Sequence, residues 1–262
     1  MKVLKANGIA MHWREDGNPD GMPVIFANSL GTDLRMWDEL LPLLPKEYRY
    51  LRYDVRGHGL TQASDGPYSM ELLTADAGAL IDELQVGPVI FVGLSIGGMI
   101  GQGLAASRPD LVKALVLSNT AARMGTAEMW DARIAQIMQG GIEGSADAIL
   151  DRWFGAEFRE SPQISAWRAM LTRTPQAGYL GCCAALADAD LSASTGTLRL
   201  PTLGIAGSED GASPPDLVAA TCKLIEGAAC HVISGAGHLP CVEKPCDYAA
   251  ILSPFLKEHA NA

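Results

Sequence analysis

Polar and apolar residues alternate through residues 1–16 on either side of Asn7-Gly8, a pair suited to a two-residue turn with both residues at positive φ. A β-hairpin is predicted to open the chain. The pattern then changes to short apolar runs at 24–27, 50–53, 89–92, 114–117, 202–206 and 230–233, which read as strands buried on both faces. Helical spacing separates most of them. Met70, Leu73, Ala77, Leu80, Ile81 and Leu84 recur on one helical face, and Tyr248, Ile251, Leu252, Phe255 and Leu256 on another. Pro254 is expected to kink or split the second helix, because it has no amide hydrogen and crowds the preceding turn. Alternating strand and helix predicts an α/β fold with a mainly parallel sheet flanked by helices.

Between residues 122 and 193 the strand pattern is missing, and helical stretches are separated by Gly140-Gly141, Ser161-Pro162 and Thr174-Pro175. This segment is predicted to be an inserted helical cap. The chain then divides into a first core part (1–121), the cap (122–193) and a second core part (194–262). The cap holds Trp130, Trp153 and Trp167, six arginines and no lysine.

Composition narrows the function. Twenty Lys and Arg stand against thirty Asp and Glu among 262 residues, a formal net charge of −10. No basic footprint for a phosphate backbone is present, so nucleic acid is not expected as a partner. With 48% hydrophobic and 19% charged residues the chain has a globular composition. Residues 1–16 lack the apolar stretch of a signal peptide, and no apolar run approaches the roughly 20 residues that span a bilayer. No membrane association is expected. The six cysteines (182, 183, 222, 230, 241 and 246) form no CxxC pair and no zinc-type spacing with histidine. They read as reduced thiols in a cytoplasmic protein, with no metal.

Candidate chemistry centres on Gly93-Leu94-Ser95-Ile96-Gly97-Gly98, which follows the apolar run 89–92 and precedes a helical segment. Small residues on both sides of Ser95 permit the tight strand-to-helix turn that presents a hydroxyl beside a helix N-terminus. A serine hydroxyl needs a base, and the base needs an orienting acid. His238 follows the last strand in a glycine-containing loop and is the expected base. His12, His231 and His259 are read as structural or solvated, and His58, in Asp54-Val55-Arg56-Gly57-His58-Gly59, as a turn-building residue. The acid is expected after the run 202–206, where Asp210 is preferred over its neighbour Glu209. The position after the run 114–117 reads Ser118-Asn119 and offers no carboxylate. Ser213-Pro214-Pro215-Asp216 is expected to cap the following helix.

The order Ser95, Asp210, His238 is that of α/β-hydrolases, and the chain resembles that superfamily throughout its length. Within it the chain resembles the 3-oxoadipate enol-lactonases of the β-ketoadipate pathway. The specific matches are Asn28-Ser29-Leu30-Gly31-Thr32-Asp33 with Met36-Trp37, Arg52-Tyr53-Asp54, Ser118-Asn119-Thr120-Ala121-Ala122-Arg123 and Arg152-Trp153-Phe154. It departs at Ser213, where the family tends to have Thr, and at Pro240-Cys241 after the histidine, which is expected to alter the pocket wall. The resemblance implies attack of Ser95 on a lactone carbonyl, with His238 as base and Asp210 as its orienting acid. It implies an oxyanion hole from the backbone N–H groups of Leu30 and Ile96, and no cofactor.

The expected partner is a small anionic lactone. Its carboxylate would be repelled by the average field of an acidic chain, so a cap arginine is expected to bind it: Arg133, one turn from Trp130, or Arg123. The alternatives are a small carboxylesterase or haloperoxidase-like hydrolase of the same fold, and a hydrolase-fold ligand receptor.

Overall fold

The computed structural model describes residues 1–260. Strands β1 (Lys2–Ala6) and β2 (Ile9–Gly17) form the predicted hairpin, with Asn7 and Gly8 at φ of 44° and 81° as a type I′ turn requires. Each of the six apolar runs is a strand: β3 (Pro23–Ala27), β4 (Arg49–Tyr53), β5 (Val89–Leu94), β6 (Val112–Ser118), β7 (Thr202–Gly207) and β8 (Ala229–Ile233). They form one sheet in the order β1-β2-β4-β3-β5-β6-β7-β8. β2 runs antiparallel to β1 and to β4, and all other neighbours are parallel.

Parallel neighbours require crossovers, and helices supply most of them. α1 (Met70–Leu84) joins β4 to β5 and α2 (Ile96–Ser107) joins β5 to β6. Between β6 and β7 come α3 (Ala127–Gly140), α4 (Ala146–Trp153), α5 (Ala156–Arg159), α6 (Ile164–Thr172), α7 (Gln176–Asp188) and α8 (Ser192–Thr195). α3 packs on α7 and α4 on α6, whereas α8 packs against α2. α9 (Pro215–Cys222) joins β7 to β8, and α10 (Pro240–Glu243) and α11 (Pro245–His259) complete the described chain. Ile25, Phe26, Phe91, Val92, Leu115 and Val116 on the central strands are fully buried. No described helix is long and apolar enough to cross a membrane.

Two expectations are corrected. β8 is not buried on both faces: it is an edge strand, with Cys230 and His231 exposed and Val232 52% exposed. An apolar run records burial of side chains in general and does not separate an edge from a centre. Pro254 does not split the last helix, which continues to His259. Pro254 and Ala250, whose carbonyl loses its intrahelical donor, both face solvent, where water can satisfy that carbonyl.

A buried ion pair between the loop after β4 and α1 also holds the hairpin turn. Arg56 bonds to Asp76 through Nε (2.7 Å) and Nη2 (2.5 Å), and the Asn7 side chain donates to the same carboxylate at 2.8 Å. The bonds from Asp76 hold the Arg56 guanidinium above its usual pKa. Removing one partner leaves an uncompensated buried charge, so Asp76→Ala should cost about 3–5 kcal/mol. In thermal unfolding this corresponds to a Tm lower by roughly 10 °C. A Tm within about 2 °C of the parent would contradict the assignment.

Candidate active site

Ser95 occupies the junction of β5 and α2 at φ 58° and ψ −120°, a backbone region that costs a non-glycine residue about 1–3 kcal/mol. The surroundings hold it there. Its N–H donates to Ser118 O at 2.9 Å, and its carbonyl accepts from Thr120 Oγ1 at 2.6 Å and Gly98 N at 2.9 Å. A Cβ at Gly93 would strike the backbone of Gly97, one at Gly97 the backbone of Ala27, and one at Gly98 the Thr120 side chain. The motif's glycines are thus required by close backbone approach.

His238 and Asp210 come together at the same end of the sheet. His238 Nδ1 lies 2.9 Å from Asp210 Oδ2, and both side chains are almost fully buried. Asp210 Oδ1 accepts from the amides of Ala212 (2.7 Å) and Ser213 (2.9 Å), while Oδ2 also accepts from Asn119 Nδ2 at 2.8 Å. Burial opposes ionisation of Asp210, but the charge of His238 and these hydrogen bonds outweigh it and draw the carboxyl down to about 2. Glu209 points away and accepts from Ala156 N at 2.8 Å. His238 Nε2 faces the pocket that Ser95 lines, with Ser29 Oγ 3.5 Å away. No hydrogen bond of Ser95 Oγ is closed among the described residues, a common condition in a site without substrate.

The loop after β3 is held by buried polar groups. Asn28 Nδ2 donates to the carbonyls of Ser29 (3.1 Å) and Thr32 (2.6 Å), and its Oδ1 accepts from Val55 N. His58 fills a turn-supporting role: its Nε2 accepts from Gly31 N at 2.9 Å, and its Nδ1 lies 3.1 Å from Arg56 O. Thr32 N–H is taken up by Ser29 O, so the neighbouring amides are engaged while the Leu30 N–H bonds to no described group. The Ile96 N–H, at the first position of α2, likewise has no intrahelical acceptor.

A narrow pocket of about 80 Å³ is lined by Ser95, His238, Leu30, Trp130, Arg133 and Arg152, among others. Arg133 therefore lies where expected, with Nη1 3.4 Å from Tyr179 OH, and Trp130 donates from Nε1 to Met124 O. Arg123 is a correction. It is exposed, faces Asp190 at 3.5 Å and does not line the pocket, because the chain after β6 turns it outward before α3 begins. Arg152 takes its place: half-buried at the end of α4, it donates from Nε to Gly211 O at 3.1 Å. Burial, followed by repulsion from Arg133, lowers its pKa. Neither Arg133 nor Arg152 has a carboxylate within 4 Å among the described residues, unlike Arg159 and Arg168 of the same segment.

The residues just after Arg152 are bonded to the loops that carry Asp210 and His238. Gly211 N donates to Arg152 O (3.2 Å) and His238 N to Trp153 O (2.6 Å). The Glu243 carboxylate, pushed up to about 7 by burial, accepts from both Gly155 N and Gly237 N at 2.8 Å. Ser213 does not cap α9. Its Oγ donates to Asn119 O at 2.6 Å and lies 3.3 Å from His238 Nδ1, which spends the hydroxyl on the acid's surroundings. Pro240-Cys241 does not line the pocket, since Cys241 is buried against Met36 O.

Asn119 and Arg152 are the site residues that sequence reasoning passed over. Asn119, at the end of β6, offered a polar side chain at the functional edge of the sheet, and Arg152 lay inside a matched motif. Both signals were in the chain.

The sequence profile of the alpha/beta hydrolase family matches residues 24–251. Over 245 residues the chain is 35% identical to 3-oxoadipate enol-lactonase 2 of Acinetobacter baylyi, covering 93% of this chain and 91% of that one. The crystal structure of an enol-lactonase from Burkholderia xenovorans LB400 superposes with a TM-score of 0.94 at 36% identity, over 98% of this chain and 100% of that one. A thermophilic esterase from Thermogutta terrifontis, solved with malate bound, superposes with a TM-score of 0.92 at 27% identity, over 99% and 100% of the two chains.

Because its Nε2 must accept the Gly31 amide, His58 is stable only as the neutral imidazole, and burial lowers its pKa from 6.5 to about 4. Between these values the unfolded chain binds the proton that the folded chain refuses. The contribution of His58 to stability is complete above pH 6.5 and is lost as pH falls toward 4. Denaturant unfolding of the parent and His58→Gln should therefore show an advantage of the parent that shrinks by roughly 3 kcal/mol across this window. A difference independent of pH would show that His58 is not held neutral.

Proposed function

Since the chain belongs to the alpha/beta hydrolase family, we propose that it is a serine hydrolase of a small carboxylate-bearing lactone, with 3-oxoadipate enol-lactone as its substrate. One observation carries the substrate reading: two arginines without carboxylate partners, Arg133 and Arg152, share a tight pocket with Ser95 and His238. A guanidinium binds a carboxylate with charge-assisted, directional hydrogen bonds, and half-burial strengthens them. The likeness to two enol-lactonases supports this choice. That a related esterase holds malate supports a pocket suited to carboxylates.

In this reading Ser95 Oγ attacks the lactone carbonyl while His238 Nε2 takes its proton. Asp210, kept ionised by Asn119 and the amides of Ala212 and Ser213, fixes the tautomer with the proton on Nδ1 and stabilises the imidazolium. The oxyanion is met by the unengaged N–H groups of Leu30 and Ile96. The enol oxygen leaves, ketonises while still tethered, and so loses the nucleophile that could close the ring again. Water activated by His238 then releases the open-chain keto diacid. Residues 122–193 act as the cap over the reacting groups, and the six free thiols suit a reducing compartment such as the cytoplasm.

Ser95→Ala should reduce turnover of the enol-lactone by at least about 10⁴-fold in a folded protein. Arg152→Met or Arg133→Met should remove roughly 1.5–3 kcal/mol of carboxylate binding, a loss of about 10- to 200-fold in kcat/KM. The loss should be confined to the anionic lactone and spare a neutral p-nitrophenyl ester. Equal losses on both would place the arginines in cap packing. Preferred turnover of the neutral ester by the parent would favour a general esterase, and inactivity on both a receptor.

A further inference from the structure

The chain contains a second buried His–Asp pair, on the other side of the loop that carries Leu30. His12 Nδ1 lies 2.7 Å from Asp54 Oδ2, with side-chain exposures of 8% and 1%. Asp54 is fully engaged, accepting also from Leu34 N and Leu60 N at 2.8 Å each. His12 is fully engaged through its backbone, donating to Thr61 Oγ1 and accepting from Asp54 N. The one polar atom left over is His12 Nε2. It bonds to no group among the described residues, and His12 lines a groove of about 430 Å³ between the hairpin and the end of α6. An imidazole nitrogen that no described group engages is open to a ligand entering the hollow.

The groove's charge and shape define that ligand. Arg14 and Arg173 stand on its walls, and among the described residues neither has a carboxylate within 4 Å. Arg35 is also present but is committed to Asp33 at 2.6 Å. Leu60 and Met170 supply apolar wall beside these cations. We propose that this groove is a second ligand site, distinct from the Ser95 pocket, that binds a small aliphatic carboxylate through His12, Arg14 and Arg173. His12 Nε2 meets the ligand's polar end, its ring orientation fixed by the Nδ1 bond to Asp54. The hydrocarbon part lies on Leu60 and Met170, which is why a carboxylate fits better than inorganic phosphate. The site does not depend on the proposed reaction at Ser95. It adjoins that reaction, because Thr174, also in the groove, lies 3.4 Å from Gly31 O.

The test is a calorimetric titration of the full chain with hexanoate, run beside histidine-ring ¹⁵N spectra in which the His12 signal is assigned through its neighbour Thr61. Hexanoate should shift the His12 ring signal saturably. Arg14→Gln and Arg173→Gln, both surface changes that leave the core intact, should each weaken this binding by about 5-fold. Arg133→Met, in the other pocket, should leave it unchanged. Hexanamide should not compete, and inorganic phosphate should bind more weakly than hexanoate. The proposal is overturned by an unmoved His12 signal, by loss of the shift in Arg133→Met, by wild-type binding in both arginine variants, or by hexanamide or phosphate binding as well as hexanoate.

Discussion

Everything at the centre of this fold follows from one backbone constraint: Ser95 must stand at φ 58° between the last residue of β5 and the first of α2. The turn is held by hydrogen bonds to Ser118 and Thr120 of the neighbouring strand and its loop, so β6 must lie in register beside β5. It also requires α2 to touch the end of β3, where Gly97 meets Ala27. The positions of three strands and a helix are thereby coupled to the orientation of one hydroxyl. The favourable packing of the central sheet offsets the local strain and keeps Ser95 in this conformation.

Electrostatics are divided in the same economical way. The chain is acidic, with a formal net charge of −10, yet most exposed arginines of the segment between β6 and β7 are matched by carboxylates. Among the described residues the arginines left without a carboxylate are those at hollows: Arg133 and Arg152 beside Ser95, and Arg14 and Arg173 beside His12. Arg133 and Arg152 are half-buried in a narrow pocket, where a charge is screened less than at the open surface.

The sheet was legible because its periodicities are strong: each apolar run became a strand and the Asn7-Gly8 turn was unambiguous. What the runs could not reveal was order across the sheet, which is why β8 was read as interior although it lies on the edge. The elbow motif and the loops after β7 and β8 placed Ser95, Asp210 and His238 at one end of the sheet, since the ends of parallel strands converge there. Side chains that act through folded neighbours were harder to read. Asn119 looked like an absence, the lack of a carboxylate, whereas its amide serves the carboxylate of Asp210 from across the sheet. Arg123 and Arg152 have the same chemistry in sequence; only the direction of the chain after β6 and at the end of α4 sends one to solvent and the other to the pocket.

The backbone bonds that join residues 152–155 to the loops of Asp210 and His238 bear on motion. They run from the end of α4 to Gly211, His238 and Glu243, so this corner of the helical layer is tied to the loops that carry Asp210 and His238. Met129 and Trp130, which line the same pocket, sit on α3, outside this bonded corner. Arg152 is anchored to Gly211 through both its own carbonyl and its Nε, whereas Arg133, on α3, has the Tyr179 hydroxyl at 3.4 Å. Two chemically identical side chains in one pocket thus differ in how firmly they are held against motion.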